Sequence, residues 1–401
     1  MLAIDCGRVE VVGGLSCHGE MGWAGCGDMM TRLMISSVLL AGVVVGAEQR
    51  IYVGTYTEKS ATEEGVGVMI FDDASGVLRS GGLAVASSSP SFLSVSGDGK
   101  RVYAVNEGPS GATAYAVEGD GKLRELNRMA VSEKGGQGPC HLCLVPGAKM
   151  LVTANYGGGS VTTFSLADDG SLKERTGFIE HKGSGPNKAR QESPHGHGAV
   201  LSPDGKNVLV NDLGTDRVYV YAVDAAGSTL VPQPVSAGVI NPGAGPRHGA
   251  FSPDGKIFYC LNEMDCTVTP MGWDAGAATL AAGKPVRTLA GDHPGNSTAE
   301  IMVHPNGRWV FASNRGHDSI AVFKAEGTAV SFVGTTPCGG AVPRNFTLSP
   351  DGKWLLAAHQ ESKSVQVFRI DAESGQLTPQ GNPVKVAFGR PVCLVFAPVE
   401  R

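Results

Sequence analysis

The sequence predicts an all-β fold: a seven-bladed β-propeller of four-stranded antiparallel blades, with the ring closed by pairing the N- and C-terminal strands. Three observations lead there. One unit recurs, clearest from Gly245 to Glu263: a small, apolar stretch runs to Ser252, Pro253-Asp254-Gly255 turns the chain, and the β-rich run Ile257 to Leu261 leads back. Its turn returns at Gly97, Pro146, Pro203, Pro253, Pro305 and Pro350, at steps of 45 to 57 residues. Such a period with several strands per unit marks propeller blades, because one small sheet cannot bury both faces alone and must stack on its neighbours. Finally, the ends complement each other. The chain stops after a lone first strand, Arg390 to Phe396, and the repeats open with a lone second strand, Ile51 to Tyr56. Joined, they make the seventh blade.

Residues 1–28 carry Gly and Cys without periodicity and read as an upstream extension before the true start at Met29 or Met30. Residues 29–47 read as a signal peptide: Arg32 supplies a basic start, Leu33 to Val45 an apolar core, and Gly46-Ala47 small residues at the cleavage point. That core is short for a bilayer span; a retained anchor is the alternative. The expected location is therefore periplasmic or secreted, and residues 48–401 form the propeller. Six cysteines lie in that region: Cys140 and Cys143 should face opposite ways on one strand, whereas Cys260 and Cys266 either bridge a turn as a disulfide or stay reduced. With 42% apolar residues there is material for a large core, and the repeat makes it one ring rather than two or three domains. A net charge of -5 gives no electrostatic case for nucleic acid or an anionic membrane. The expected partner is a small molecule and the expected state a monomer.

Each hairpin reaches one rim of the ring twice. First strands begin with Ser91-Phe92, Cys140-His141, His195-Gly196-His197, Arg247-His248, Ala299-Glu300, Arg344-Asn345 and Arg390; second strands end with Thr55-Tyr56, Asn106-Glu107, Asn155-Tyr156, Asp212-Leu213, Asn262-Glu263, Asn314-Arg315 and His359-Gln360. A scaffold that needed only turns would place Asn, Asp, Ser and Gly there. His, Arg and Glu at these positions point instead to a site at the channel mouth. Strand alternation turns His248 away from Arg247, toward the neighbouring blade. His195 and His197 share a face at a spacing used by metal sites, with Glu263 or Glu300 as a third ligand; no further acidic or His cluster follows, and the reading stays metal-free with no cofactor. The insertion from Phe178 to Pro194 either folds over the mouth with Arg190 and Gln191 or is a solvated loop. Gly157-Gly158-Gly159-Ser160 lacks a following Lys and reads as a strand turn, and no Gly-x-Ser-x-Gly elbow occurs.

On these residues the chain resembles the lactonase propellers, which include cycloisomerase-type 6-phosphogluconolactonases and carboxymuconate lactonising enzymes. The matching motifs are Ile51-Tyr52-Val53-Gly54-Thr55-Tyr56-Thr57, Gly183 to Asn187, Arg190 to His197, Asp212 to Asp216, Gly245 to His248, Asn262-Glu263, Ala299-Glu300, Ser313 to Gly316 and Pro343 to Phe346. The resemblance implies lactone chemistry without a metal, with His197 and Glu263 as catalytic acid and base and Arg247 and Arg315 as clamps. His141, His195, Arg190, Gln191, Glu300, Arg344 and Gln360 are then expected to bind the substrate. The signal peptide departs from the family's phosphorylated, cytoplasmic substrate, so the lactone is expected with or without a phosphate.

The chemistry asks for these groups. Opening a lactone needs an activated water, a stabilised oxyanion and a proton for the departing alkoxide; a His and a carboxylate can share the first and last tasks, and forked guanidiniums suit the oxyanion or an acidic group. Blander roles exist: Glu263 as a turn cap, Arg315 as an inter-blade ion pair, His141 as a structural residue, Glu300 as the partner of a rim arginine. Lactone hydrolysis is the leading reading. Cycloisomerisation of an unsaturated dicarboxylic acid and a non-catalytic binding propeller are the alternatives. Under the enzyme reading, replacing His197 or Glu263 should abolish turnover and leave melting nearly unchanged.

Overall fold

A computed structural model describes residues 48–58, 62–134 and 137–398. The extension and signal-peptide readings fall on residues 1–47, outside the described residues. From Glu48 the chain forms seven antiparallel sheets, and the sheet that opens it takes its innermost strand from the far end: Val77–Ala86, Gly65–Asp72, Glu48–Tyr56, then Arg390–Phe396. Ile51 pairs with Phe396 and Val53 with Leu394 across this seam. Blades 2 to 7 then run through 90–130, 139–180, 196–239, 246–287, 297–337 and 343–385. In blades 4 and 5 the outermost position is shared by two short strands, Thr229–Leu230 with Ser236–Val239 and Thr279–Ala282 with Val286–Arg287.

The repeated turn explains why the sequence breaks where it does. In Ser252-Pro253-Asp254-Gly255 the Ser252 hydroxyl donates to Asp254 Oδ1 at 2.6 Å and accepts from Ile257 N at 3.0 Å, while Asp254 Oδ1 also accepts from Lys256 N. Gly255 has φ +71°, a conformation that a Cβ disfavours. The same network recurs at Ser202 to Asn207 and Ser349 to Trp354. Between adjacent blades the apolar strand faces pack into separate clusters. At the seam, Ile51, Val53, Phe71, Trp354, Leu356 and Leu394 are buried together, with Phe71 set edge-on to Trp354 at 6.0 Å.

A second repeated feature positions the site. Every innermost strand carries one residue too many near its start. Pro90 pairs with Asn106 and Phe92 with Val105, so Ser91 is left over; the same count leaves Cys140, His197, Arg247, Arg344 and, on the closing strand, Val392, while in blade 6 Ala299-Glu300 face Ser313 alone. Such a bulge breaks alternation and re-aims side chains. A proline precedes it in five blades, Pro90, Pro139, Pro246, Pro343 and Pro391, where a missing N–H costs no ladder bond.

If the seam holds the ring, Leu394→Ala, which empties a buried site at that strand, should lower unfolding free energy by about 2–5 kcal/mol, measured by denaturant titration. A loss under about 1 kcal/mol would mean the closing strand is not part of the cooperative core.

Candidate active site

Two repeat positions supply the site: the bulge residue of the first strand, and the residue after the polar one that locks the second strand to the third. Asn155 Nδ2 donates to Ser160 and Thr162, and Asn262 Nδ2 to Thr267 and Thr269, at 2.8 to 3.0 Å. The following residue lies at the rim. That register gives Tyr56, Glu107, Tyr156, Leu213, Glu263, Arg315 and Gln360 around the ring.

Glu263 is held by three arginines from different segments. Arg190 Nη2 donates to its Oε1 at 2.7 Å; Arg247 Nε and Arg315 Nη2 each donate to Oε2 at 3.0 Å. Arg247 is buried, and its Nη1 also meets Ala299 O and, at 3.1 Å, His248 Nε2. Burial opposes ionisation of Glu263, but Arg315, Arg247 and Arg190 outweigh it and hold its carboxyl at about 2. One carboxylate cannot serve every guanidinium fully: burial, reinforced by Arg247 and Arg344, lowers Arg315 to about 10 despite Glu263. Among the described residues Arg315 Nε is buried without a hydrogen-bond partner. The cluster is rich in cation and has a donor to spare.

Beside it lie three imidazoles. His248 Nε2 faces an arginine N–H, so its proton sits on Nδ1, which donates to Glu300 Oε1 at 3.1 Å. His141 Nδ1 accepts from Ala199 N, leaving its proton on Nε2, and the ring lies 3.9 Å from that of Phe92. His197 Nδ1 stands 3.6 Å from Cys140 Sγ, and its ring packs edge-on to Tyr156 at 5.4 Å and His248 at 5.3 Å. Burial, with nearby Arg247, pushes His197 well below the usual imidazole range, so it is a neutral acceptor at pH 7. The Cys140 thiol is pushed up to about 12, mainly by burial, which removes it as a thiolate nucleophile. Glu300 is buried, and burial raises its pKa; Asn345 Nδ2 and Ile301 N donate to it.

The structure thus brings His141, His197, Arg190, Arg247, Glu263, Glu300 and Arg315 into one connected network. Arg344 joins from blade 7, donating to the Tyr56 hydroxyl at 2.9 Å. His195 stacks on Tyr156 at 4.5 Å and bonds its carbonyl through Nδ1, while His197 turns toward Cys140; among the described residues no three His, Cys, Asp or Glu side chains converge as a ligand set.

Several expectations need correction. His248 does not turn from Arg247, because the bulge between Pro246 and His248 aims both inward. Gln191 is consumed inside its loop: its Nε2 donates to Leu213 O and Asp216 Oδ1, its Oε1 accepts from Asn187 N, and it is fully buried. The insertion is shorter at its start, since Phe178 to Glu180 finish a strand, and only Arg190 reaches the site. Gln360 needs no such correction: its Nε2 donates to Glu361, while among the described residues its Oε1 is buried without a partner. Glu300 partners His248 and Asn345 rather than an arginine. Of the two states left open for Cys260 and Cys266, the structure has the reduced one: both are free thiols, the first accepting from Asn211 Nδ2 and the second from Asn296 Nδ2. Sequence reasoning passed over Tyr56, Glu107, Tyr156 and Cys140 as site residues. Their repeat positions, after the strand-locking residue and after the bulge proline, were the available signal.

The family described as "Lactonase, 7-bladed beta-propeller" matches residues 50–396. The chain belongs to this family. The lactonase is 32% identical to the 6-phosphogluconolactonase of Bacillus subtilis over 86% of its own length and 97% of that protein's, and 31% identical to a 6-phosphogluconolactonase of Formosa agariphila over 82% and 94%. It also superposes on the periplasmic gluconolactonase of Pseudomonas aeruginosa with a TM-score of 0.81 and 30% identity, covering 88% of this chain and 100% of the other.

Because Glu263 neutralises three guanidiniums, Glu263→Gln should not leave melting unchanged. We expect a loss of roughly 3–5 kcal/mol in denaturant titrations at neutral pH. The depressed carboxyl contributes stability that is present above the unfolded carboxylate range and is lost only as pH falls toward 2, so wild type and variant should converge in strong acid. A variant as stable as wild type at pH 7 would remove the ion-pair account.

Proposed function

We propose that this lactonase hydrolyses a sugar lactone of the 6-phosphogluconolactone type to the aldonate, with His197 moving the proton. The observation that carries this is a neutral, buried imidazole beside a pinned guanidinium cluster. The catalytic task divides between them. A water attacks the lactone carbonyl while His197 takes its proton; the oxyanion meets guanidinium N–H groups of Arg247 and Arg315; collapse breaks the ring C–O bond, and the imidazolium returns the proton to the departing alkoxide. Water is consumed, one C–O bond forms and one breaks, His197 ends as it began, and the aldonic acid so formed releases its proton to solvent to leave the aldonate.

Glu263 takes a different part from the one its residue type suggests. With both oxygens bonded to arginines and its carboxyl at about 2, it is a poor proton acceptor at neutral pH. It acts as the organiser that fixes where the guanidiniums point, which is the preorganisation that oxyanion stabilisation requires. The surplus of positive charge also suits a substrate with an acidic group, such as a phosphate, and retains the carboxylate formed on ring opening.

The reading includes export. The Pseudomonas relative is described as periplasmic and as a gluconolactonase, and residues 29–47 have the makings of a signal peptide. An exported enzyme would meet the unphosphorylated lactone.

Turnover of D-glucono-1,5-lactone and its 6-phosphate, followed by pH-stat and corrected for spontaneous opening, tests the proposal. His197→Ala should lower kcat/KM by about 10²–10⁴-fold with an unchanged melting temperature; equal turnover would exclude His197 as the base. The pH profile has a definite sign. A depressed imidazole stays in its base form below the usual range, so wild-type kcat/KM should be level from about pH 6 to 8 and fall only in more acid solution. An acid limb centred near 6.5 would contradict the assignment.

A further inference from the structure

Opposite the arginine cluster, the channel mouth carries a set of buried acceptors that the proposed mechanism does not use. Ser91 occupies the bulge position of blade 2, the position that holds His197 and Arg247 in theirs, and it is 5% exposed. Glu107 and Gln360 occupy the rim position after the strand-locking residue, as Glu263 does in blade 5. Among the described residues Ser91 Oγ, Glu107 Oε2 and Gln360 Oε1 are buried and lack a hydrogen-bond partner. Between them stands the Tyr56 hydroxyl, which accepts from Arg344 Nη2 at 2.9 Å, with that guanidinium 5.1 Å from the ring centre. The arginine N–H takes up one lone pair of the phenol and leaves its proton free to donate.

A buried oxygen without a partner is costly; the carboxylate and amide oxygens can only accept, and the Ser91 hydroxyl can accept as well as donate. Three such oxygens at one side of a ligand channel call for a ligand that donates several hydrogen bonds and brings no negative charge to that side. We propose that Ser91, Glu107 and Gln360, braced by the Tyr56–Arg344 pair, form a hydroxyl-reading subsite that binds the polyhydroxylated ring of the lactone and orients its carbonyl toward Arg247 and Arg315. The inference rests on the lactonase reading and deepens it. A ring without hydroxyls leaves the acceptors unpaired, and a second carboxylate at this side meets Glu107, so the subsite selects sugar lactones over aliphatic lactones and unsaturated dicarboxylates. An acidic substituent on the sugar is steered to the arginine side.

The test uses the full chain and two carboxylate probes, one rich in hydroxyl groups and one with a single terminal hydroxyl and one carbon fewer: D-gluconate and 5-hydroxypentanoate, the ring-opened forms of D-glucono-1,5-lactone and δ-valerolactone. Calorimetry should find gluconate bound at least ~10-fold more tightly by wild type, and that preference should largely vanish in Glu107→Leu, which keeps the bulk and removes the acceptors. Ser91→Ala, a smaller change that guards against misfolding, should erode it about 3-fold or more. In kinetics, the ratio of kcat/KM for gluconolactone over valerolactone should fall in parallel. Equal affinity of wild type for the two probes, or an equal loss on both in Glu107→Leu and Ser91→Ala, would overturn the proposal. If wild type opens neither lactone, the hydrolase reading falls, while the affinity ratio still decides the subsite.

Discussion

The structure depends on a constraint repeated around its axis: the innermost strand of each blade must fit one extra residue opposite its partner. Without the bulge, alternation would send Arg247 and His248 to opposite faces. With it, His197, Arg247 and Arg344 stand on the axial side, and His248 follows Arg247 inward. The proline ahead of most bulges makes the irregularity cheap, since it has no N–H to lose. Ring closure through Arg390–Phe396 then brings Tyr56 beside Arg344, residues far apart in sequence. The fold and the chemistry therefore meet in one backbone device.

Electrostatics divides the mouth into two sides. On one, Arg190, Arg247 and Arg315 share Glu263, so the carboxylate is held ionised while Arg315 pays part of the cost of crowding. On the other, acceptor oxygens predominate. Between the sides His197 is kept neutral by burial and by the positive charge of Arg247. A ligand with hydroxyls at one end and a carbonyl or acidic group at the other fits this polarity in only one orientation, and such orientation contributes to rate by positioning as well as by binding.

Much of the fold was legible because the signals that specify it are local. Ser252-Pro253-Asp254-Gly255 closes its turn with its own side chains, so its recurrence counts blades without any knowledge of packing, and the unmatched strands at the two ends announce their own pairing. The site was legible in part. The rim positions carried His, Arg and Glu, and His197, Arg247, Glu263 and Arg315 lie in one network. Roles were harder to read, because they depend on what lies across the channel. Glu263 looks like an acid or base until its three arginines are counted, Gln191 like a ligand until its amide is found closing its own loop, and His248 like an inter-blade residue until the bulge is seen. Glu107 was hidden for a related reason: the other rim residues of its blade, Ser91, Phe92 and Asn106, carry no charge. Tyr56 was hidden because its partner Arg344 lies far away in sequence.

In the proposed mechanism the lactone carbonyl lies between His197 and the guanidiniums that Glu263 organises. A crystal structure of the protein with the aldonate product bound tests it most directly. The product carboxylate should lie within about 3 Å of Arg247 or Arg315 nitrogen atoms, with His197 on the same side of the channel. An aldonate seated away from both arginines, with His197 out of reach of its carboxylate, would contradict it.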